Sequence, residues 1–375
     1  MDTTYYVIYG MLLLLSVFGL IVGVSNDACN FLNSSLGCRA GTYMQDAAVA
    51  AVGVILGASF SNGMMVIARS GVIVPQFFTF HEVMLLFLAV MVANVILLDV
   101  FNTLGLPTST TVSLVFSLLG SALGTAVYSM HSADAQASLV EYINTEKAII
   151  IVSGIFCSVA IAFIAGTIVM WFARLLFSFR YARAFRIIGP LWCGAALTAI
   201  CYFAIFKGLK TSPVMDPELM HWMETHLSKL LLLTFGSWVI ITAILQHLCR
   251  VNTLRITVLA GTGALALAFA GNDLVNFIGV FMAAQSSMEI ANTHIAAGGS
   301  LDTLHMGALA EPAKTDFIYL LAAGLIMVGA LFFSKKARKV TETELKLSSS
   351  NTAGKERFGS SPPARGMVRY TLNAI

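Results

Sequence analysis

Residues 23–37 read GVSNDACNFLNSSLG and residues 269–279 read FAGNDLVNFIG. Each stretch sets an Asn-Asp pair (Asn26-Asp27, Asn272-Asp273) at the end of a long apolar run, followed by a further Asn (Asn30, Asn276) and then Phe (Phe31, Phe277). A carboxylate at the centre of a lipid-spanning helix costs about 2.5–3.5 kcal/mol, so intramembrane aspartates mark function by default. One such motif alone reads equally as a capped helix end. Two copies of N-D-x-x-N in the same setting read as a duplicated site, its polar groups on one helical face.

The composition around the motifs is that of a chain dissolved in lipid. Of 375 residues, 58% are apolar and 11% charged, against about 25% charged in a soluble domain. A soluble fold is excluded, and a net charge of +3 offers no surface for nucleic acid. Nine stretches are long enough to cross a bilayer: about 5–25, 46–68, 83–104, 108–128, 148–177, 187–207, 228–248, 256–271 and 317–333. None shows the alternation of a barrel strand, so all are expected to be helices, which satisfy their own backbone in hydrocarbon. The expected fold is an all-α polytopic membrane protein. The first run lacks a basic flank and a small-residue cleavage site, and is read as a retained span rather than a signal peptide. The six cysteines sit singly, as small buried hydrophobes, and the histidines show no paired metal spacing.

Lys and Arg collect in the cytoplasmic loops of membrane proteins. Arg174, Arg180, Arg183 and Arg186 follow the fifth span, Arg250 and Arg255 the seventh, and Lys335, Lys336, Arg338 and Lys339 the ninth. Placing these inside puts the N-terminus outside, runs span 1 inward and span 8 outward, and leaves the tail in the cytoplasm. The two motifs then lie on oppositely directed helices, an inverted repeat. Transporters of that design bind substrate near the midplane at discontinuous helices, and Gly23 and Gly271 would ease such breaks. The transport domain is taken as 1–333, with a first repeat of about 1–128 and a second beginning at about 256; residues 334–375 turn basic and polar and read as a tail or linker.

A third stretch, GLPTSTTVSLVFSLLGSALG at 105–124, opens a helix with Pro107 and crowds its N-terminus with Thr108, Ser109, Thr110 and Thr111. Unpaired amides and the helix dipole make that end an anion site, and the hydroxyls would bind phosphate without a buried base. Taken alone, the string reads first as an ordinary capped helix.

Together these elements resemble the inorganic phosphate transporter (PiT) family, whose duplicated GANDVANA signature is similar to SNDACN and GNDLVN and whose GLPVSTT element is similar to GLPTSTT. The likeness covers residues 1–128 and the chain from about 256. It implies a two-repeat helical transporter, not an enzyme, that moves inorganic phosphate with Na⁺ or H⁺ and needs no cofactor. It carries Asn26, Asp27, Asn272 and Asp273 into the ion and substrate site and gives Ser109, Thr110 and Thr111 to the phosphate oxygens. Asn30 and Asn276 extend the site by the repeat itself. Oxygen ligands at Asp27 and Asp273 suit Na⁺; a protonated aspartate would serve H⁺ instead.

The chain departs from the family at Ser25, Ala28 and Cys29, and residues 340–375 hold no second Pro-x-Ser-Thr-Thr and no apolar run to carry one. The second repeat is therefore read as incomplete and the chain as truncated. The alternatives are a sulfate or other oxyanion permease and, remotely, an intramembrane aspartyl protease, which leaves the flanking asparagines and the hydroxyl cluster without a role. Glu289 is a further candidate for the site, and Asn94, Asp99 and Asn102 for the pathway. The expected setting is the plasma or inner membrane, with lipid as partner and a homo-oligomer compatible with the class.

Overall fold

Backbone groups at membrane depth find partners within a helix or a closed barrel, and the described residues form eleven α-helices. The computed structural model describes residues 2–61, 71–131, 141–177, 181–209, 216–311 and 316–348. In chain order the helices are α1 (Thr3–Gly37), α2 (Tyr43–Ser59), α3 (Phe80–Leu104), α4 (Thr110–His131), α5 (Thr145–Phe177), α6 (Tyr181–Phe203), α7 (Pro217–Thr225), α8 (Leu227–His247), α9 (Thr253–Ala296), α10 (Phe317–Phe333) and α11 (Lys335–Ser348). No strand forms among the described residues beyond the isolated bridges Ile73–Ile143 and Thr79–His305. The protein is an integral, multi-pass membrane protein.

Among the described residues seven helices are long and apolar enough to cross, or eight when α10 and α11, bent by 67° at Ser334, count as one broken span. The expected nine differ for physical reasons. The second crossing is the 17-residue α2, and residues 62–68 lie outside the described residues. The eighth, read as ending at 271, is the opening of a 44-residue α9. Hydropathy falls at the polar motif, but the helix does not stop there. Asn272 donates to the carbonyl of Ala268 within its own helix at 2.9 Å, which holds the helical path. α1 likewise runs 35 residues through Asp27 without a break, so the discontinuity expected at the motifs is absent from both. It falls instead at Ser334 and between α3 and α4, where Gly105 takes φ 73°, a left-handed turn that glycine adopts without strain.

The relative directions follow from side-chain neighbours. On α1 and α9, Tyr9 meets Phe281 at 5.3 Å and Phe31 meets Phe269 at 5.3 Å, so the two motif helices are antiparallel, as an inverted repeat requires. α3 runs parallel to α1, with Tyr5 against Phe80 and Asn26 against Asn102, and α4 returns antiparallel, pairing Ser113 with Asn94 and Ser129 with Glu82. α2 starts on a capping box of Thr42 and Gln45. These helices and α10 enclose one apolar core that includes Phe31, Phe87 and Phe277. α5 buries only Ala148 and exposes Phe163, Ile164 and Trp171, an all-round apolar helix suited to lipid.

The predicted tail also differs. Residues 335–348 form α11, whose Ala337, Val340, Thr341 and Thr343 are buried; residues 349–375 lie outside the described residues.

Glycine sets the closeness of α2 and α9. A Cβ on Gly57 would fall 2.1 Å from the carbonyl oxygen of Leu267, whereas Gly154 on α5 has open space. Overpacking of this kind costs about 1–3 kcal/mol. Gly57→Ala is expected to lower the unfolding temperature of the detergent-solubilised protein, and Gly154→Ala to leave it within error.

Candidate functional site

The loop after Gly105 is short, and its proline and hydroxyl residues set where α4 can begin. Ser109 caps that helix, its Oγ accepting from the amide of Val112 at 3.3 Å and its carbonyl from the amide of Ser113 at 3.0 Å. The two residues next in line meet the two motifs. Thr110 Oγ1 donates to Asp27 Oδ2 at 2.8 Å, and Thr111 Oγ1 donates to Asp273 Oδ1 at 3.4 Å. Successive residues of one helix turn thus reach carboxylates 246 positions apart in sequence.

Each carboxylate also takes a bond from the Asn three residues on. Asn30 Nδ2 donates to Asp27 at 3.4 Å. Asn276 Nδ2 donates to Asp273 at 3.0 Å and to Thr111 Oγ1 at 2.9 Å. Asp27, Asn26 and Thr110 are buried, each at 3% exposure or less.

Asn26 fastens the loop. Its Nδ2 donates to Asn102 Oδ1 at 2.7 Å and to the carbonyl of Leu106 at 3.0 Å, while its Oδ1 accepts from the amide of Thr108 at 2.7 Å. Asn102 in turn donates to the carbonyl of Val22 at 2.7 Å, and Asn94 accepts from Ser113 at 2.5 Å. The motif and loop are also held by packing: a Cβ on Gly23 would fall 1.9 Å from the ring of Phe277, so the second motif's phenylalanine sits directly on the first motif's helix.

A cavity of about 420 Å³ opens over this junction, lined by Thr108 to Thr111, by Asp27 and Asp273, and by Cys29, Asn30, Pro107 and Glu344. Among the described residues no Lys, Arg or His lines it. In the first turn of α4 the amides of Val112 and Ser113 are taken by Ser109, and this end carries the positive end of the helix dipole. The pocket therefore offers oxygen ligands to cations beside a helix N-terminus that favours an anion. Among the described residues no cluster of three His, Cys, Asp or Glu is arranged to hold a metal ion.

Most of the residues singled out in the sequence converge here: Asn26, Asp27, Asn30, Asp273, Asn276, and Thr108 through Thr111. Two do not. Asn272 is exposed and bonds only along its own helix, so the second motif lacks the loop contact that Asn26 makes in the first. Glu289 is also exposed, accepts from Gln285 at 3.1 Å, and lies sixteen residues beyond Asp273, about 24 Å along α9. Asp99 is on the rim of α3, paired with Lys336 at 2.5 Å. Of the cysteines, Cys29 and Cys193 are buried and Cys38, Cys157 and Cys249 exposed, so buried hydrophobe describes only some of them.

One lining residue, Glu344, escaped the sequence reading because its segment was taken as a solvated tail. The signal was present: Ala337, Val340, Thr341 and Glu344 recur at i, i+3, i+4 and i+7, one face of a helix.

Residues 23–353 match the phosphate transporter family. A search of curated proteins finds no match. Among solved structures, one described as the sodium-dependent phosphate transporter superposes with a TM-score of 0.61 at 20% identity, covering 90% of this chain and 78% of that one.

The asymmetry between the two asparagines gives a test. Asn26→Ala strips partners from the partly buried amide of Thr108 and from the buried Asn102, at a cost of about 1–3 kcal/mol per stranded group. Thermal unfolding of the purified protein is expected to show a clear loss for Asn26→Ala and none for Asn272→Ala.

Proposed function

The chain belongs to the phosphate transporter family, and from that premise we propose that it binds inorganic phosphate at the N-terminus of α4, between Asp27 and Asp273, and moves it together with Na⁺. The observation that carries the reading is the pairing of Thr110 with Asp27 and of Thr111 with Asp273. It brings both repeated carboxylates to a helix end whose amides and hydroxyls suit an anion.

Among the described residues the pocket has no base, and this shapes the mechanism. Two carboxylates repel phosphate unless cations accompany it. Entry of each negative charge against about 100 mV costs roughly 2.3 kcal/mol, and each cation moving inward returns the same amount. Na⁺ fits the donors, which are carboxylate and amide oxygens and hydroxyls, all hard ligands. The solved relative is described as sodium-dependent, in keeping with this choice over H⁺. Asp27 with Asn30 and Asp273 with Asn276 form two equivalent cation positions, one from each antiparallel repeat helix, and Ser109 and Thr108 complete the anion side. With Na⁺ bound, the carboxylates no longer repel phosphate and the amides of α4 capture it. Rocking of the repeats about the α1–α9 crossing then exposes the site to the opposite face. Arg183 and Arg186 at the start of α6, Arg250 before α9 and Arg255 in its first turn support a cytoplasmic α11.

Asp27→Asn preserves an acceptor for Thr110 and so the fold, but removes the charge that holds the cation. Uptake of ³²P-phosphate into proteoliposomes under a Na⁺ gradient is expected to fall at least about tenfold, the cost of a single lost charge contact. Undiminished uptake would overturn the site.

A further inference from the structure

α11 lies outside the repeated motifs, yet it is strapped across the mouth of the pocket. The amide of Ala337 donates to Ser334 Oγ, and Ser25 Oγ, next to the first motif, donates to the same oxygen at 2.7 Å. Lys336 pairs with Asp99 at 2.5 Å, Lys339 reaches the carbonyl of Thr103, and Arg338 stacks 4.7 Å over the ring of Tyr43. At the far end Leu345 packs toward Gly37. One turn short of that end, Glu344 enters the pocket lining. Its neighbours in the pocket, Asp27 and Asp273, each accept two side-chain hydrogen bonds. Glu344 is partly buried, and its carboxylate has no hydrogen-bond or ion-pair partner among the described residues. The helix is pinned along its length by neighbours other than Glu344, so this carboxylate is dispensable to the strap.

We propose that Glu344 is a charge-selecting residue of the transport site: a fixed negative charge at the pocket wall that disfavours doubly charged tetrahedral anions relative to singly charged ones. The inference rests on phosphate binding at the α4 terminus. Coulomb repulsion scales with the charge of the anion, so a lone carboxylate raises the cost of a dianion twice as much as that of a monoanion. Phosphate escapes that cost by taking a proton and entering as the monoanion. Sulfate has the same shape and oxygen geometry but stays doubly charged in neutral water. The hydroxyls and amides that recognise a tetrahedral oxyanion do not separate the two, whereas an unpaired carboxylate does. Asp27 and Asp273 do not serve this role, because cations bound there cancel their charges.

The test is inhibition of ³²P-phosphate uptake by unlabelled sulfate and by unlabelled phosphate in proteoliposomes, at a pH where phosphate is largely monovalent. Glu344→Gln is expected to lower the inhibition constant for sulfate by about three- to tenfold more than that for phosphate, the range for one charge removed at a partly screened distance. Glu344→Asp, which keeps the charge, is expected to retain the original ratio, and Glu342→Gln, exposed on the same helix, to leave it unchanged. If Glu344→Gln elutes as an aggregate, Glu344→Ser removes the same charge and takes its place. An unchanged sulfate-to-phosphate ratio in the neutral variant, or the same change in Glu344→Asp, would overturn the assignment while leaving phosphate transport standing. Failure of the unsubstituted chain to take up phosphate would overturn the transport reading, and this inference with it.

Discussion

Two carboxylates at membrane depth without a base beside them are the constraint around which the protein is organised. Left bare, each would cost several kcal/mol. The chain meets that cost with neutral donors: Thr110 and Asn30 for Asp27, Thr111 and Asn276 for Asp273. Neutral donors stabilise charge without cancelling it, so the pocket keeps a standing demand for cations. An Arg in the same place would satisfy the aspartates permanently and remove the reason for a cation to bind. The proposed ion coupling thus rests on what the site lacks as much as on what it holds.

The rest of the fold serves to keep that junction together. α1 and α9 cross antiparallel with the ring of Phe277 against Gly23, so the two motifs are brought together by packing and not by a covalent turn. Asn26 ties the α3–α4 loop to α1 through three hydrogen bonds, and α3 is anchored to the same helix by Asn102. The helix that supplies the amides is therefore fixed to one repeat, while Thr111 hydrogen-bonds to the other. The alternating access proposed above would break fewer hydrogen bonds on the Thr111–Asp273 side than on the Asn26 side.

Much of this was legible in the sequence, because the physics of lipid leaves few choices. Charged residues are so rare in the apolar runs that Asp27 and Asp273 identify themselves, and the parity of the spans gave their helices opposite directions. What remained hidden had a common cause. Hydropathy reports the cost of a side chain in lipid, not whether its backbone stays helical, so α9 was cut short at Asn272 although the helix continues to Ala296. The same measure made residues 335–348 look like a solvated tail, since Lys and Glu dominate the average while Ala337, Val340 and Thr341 form the buried stripe. Symmetry misled at Asn272 as well: the motif repeats, but among the described residues the loop that gives Asn26 its partners has no counterpart at Asn272. Glu289 looked equivalent to the site acids by composition, and only the rise of the helix shows how far along α9 it lies.

The central claim is that the pocket takes phosphate because cations first neutralise Asp27 and Asp273. Titration of phosphate into the purified protein by calorimetry, once in sodium and once with choline replacing it at equal ionic strength, tests this most directly. The account predicts saturable binding in sodium and none measurable in choline. Equal affinity in the two solutions would show that the pocket holds the anion without its cations, and would contradict the account at its root.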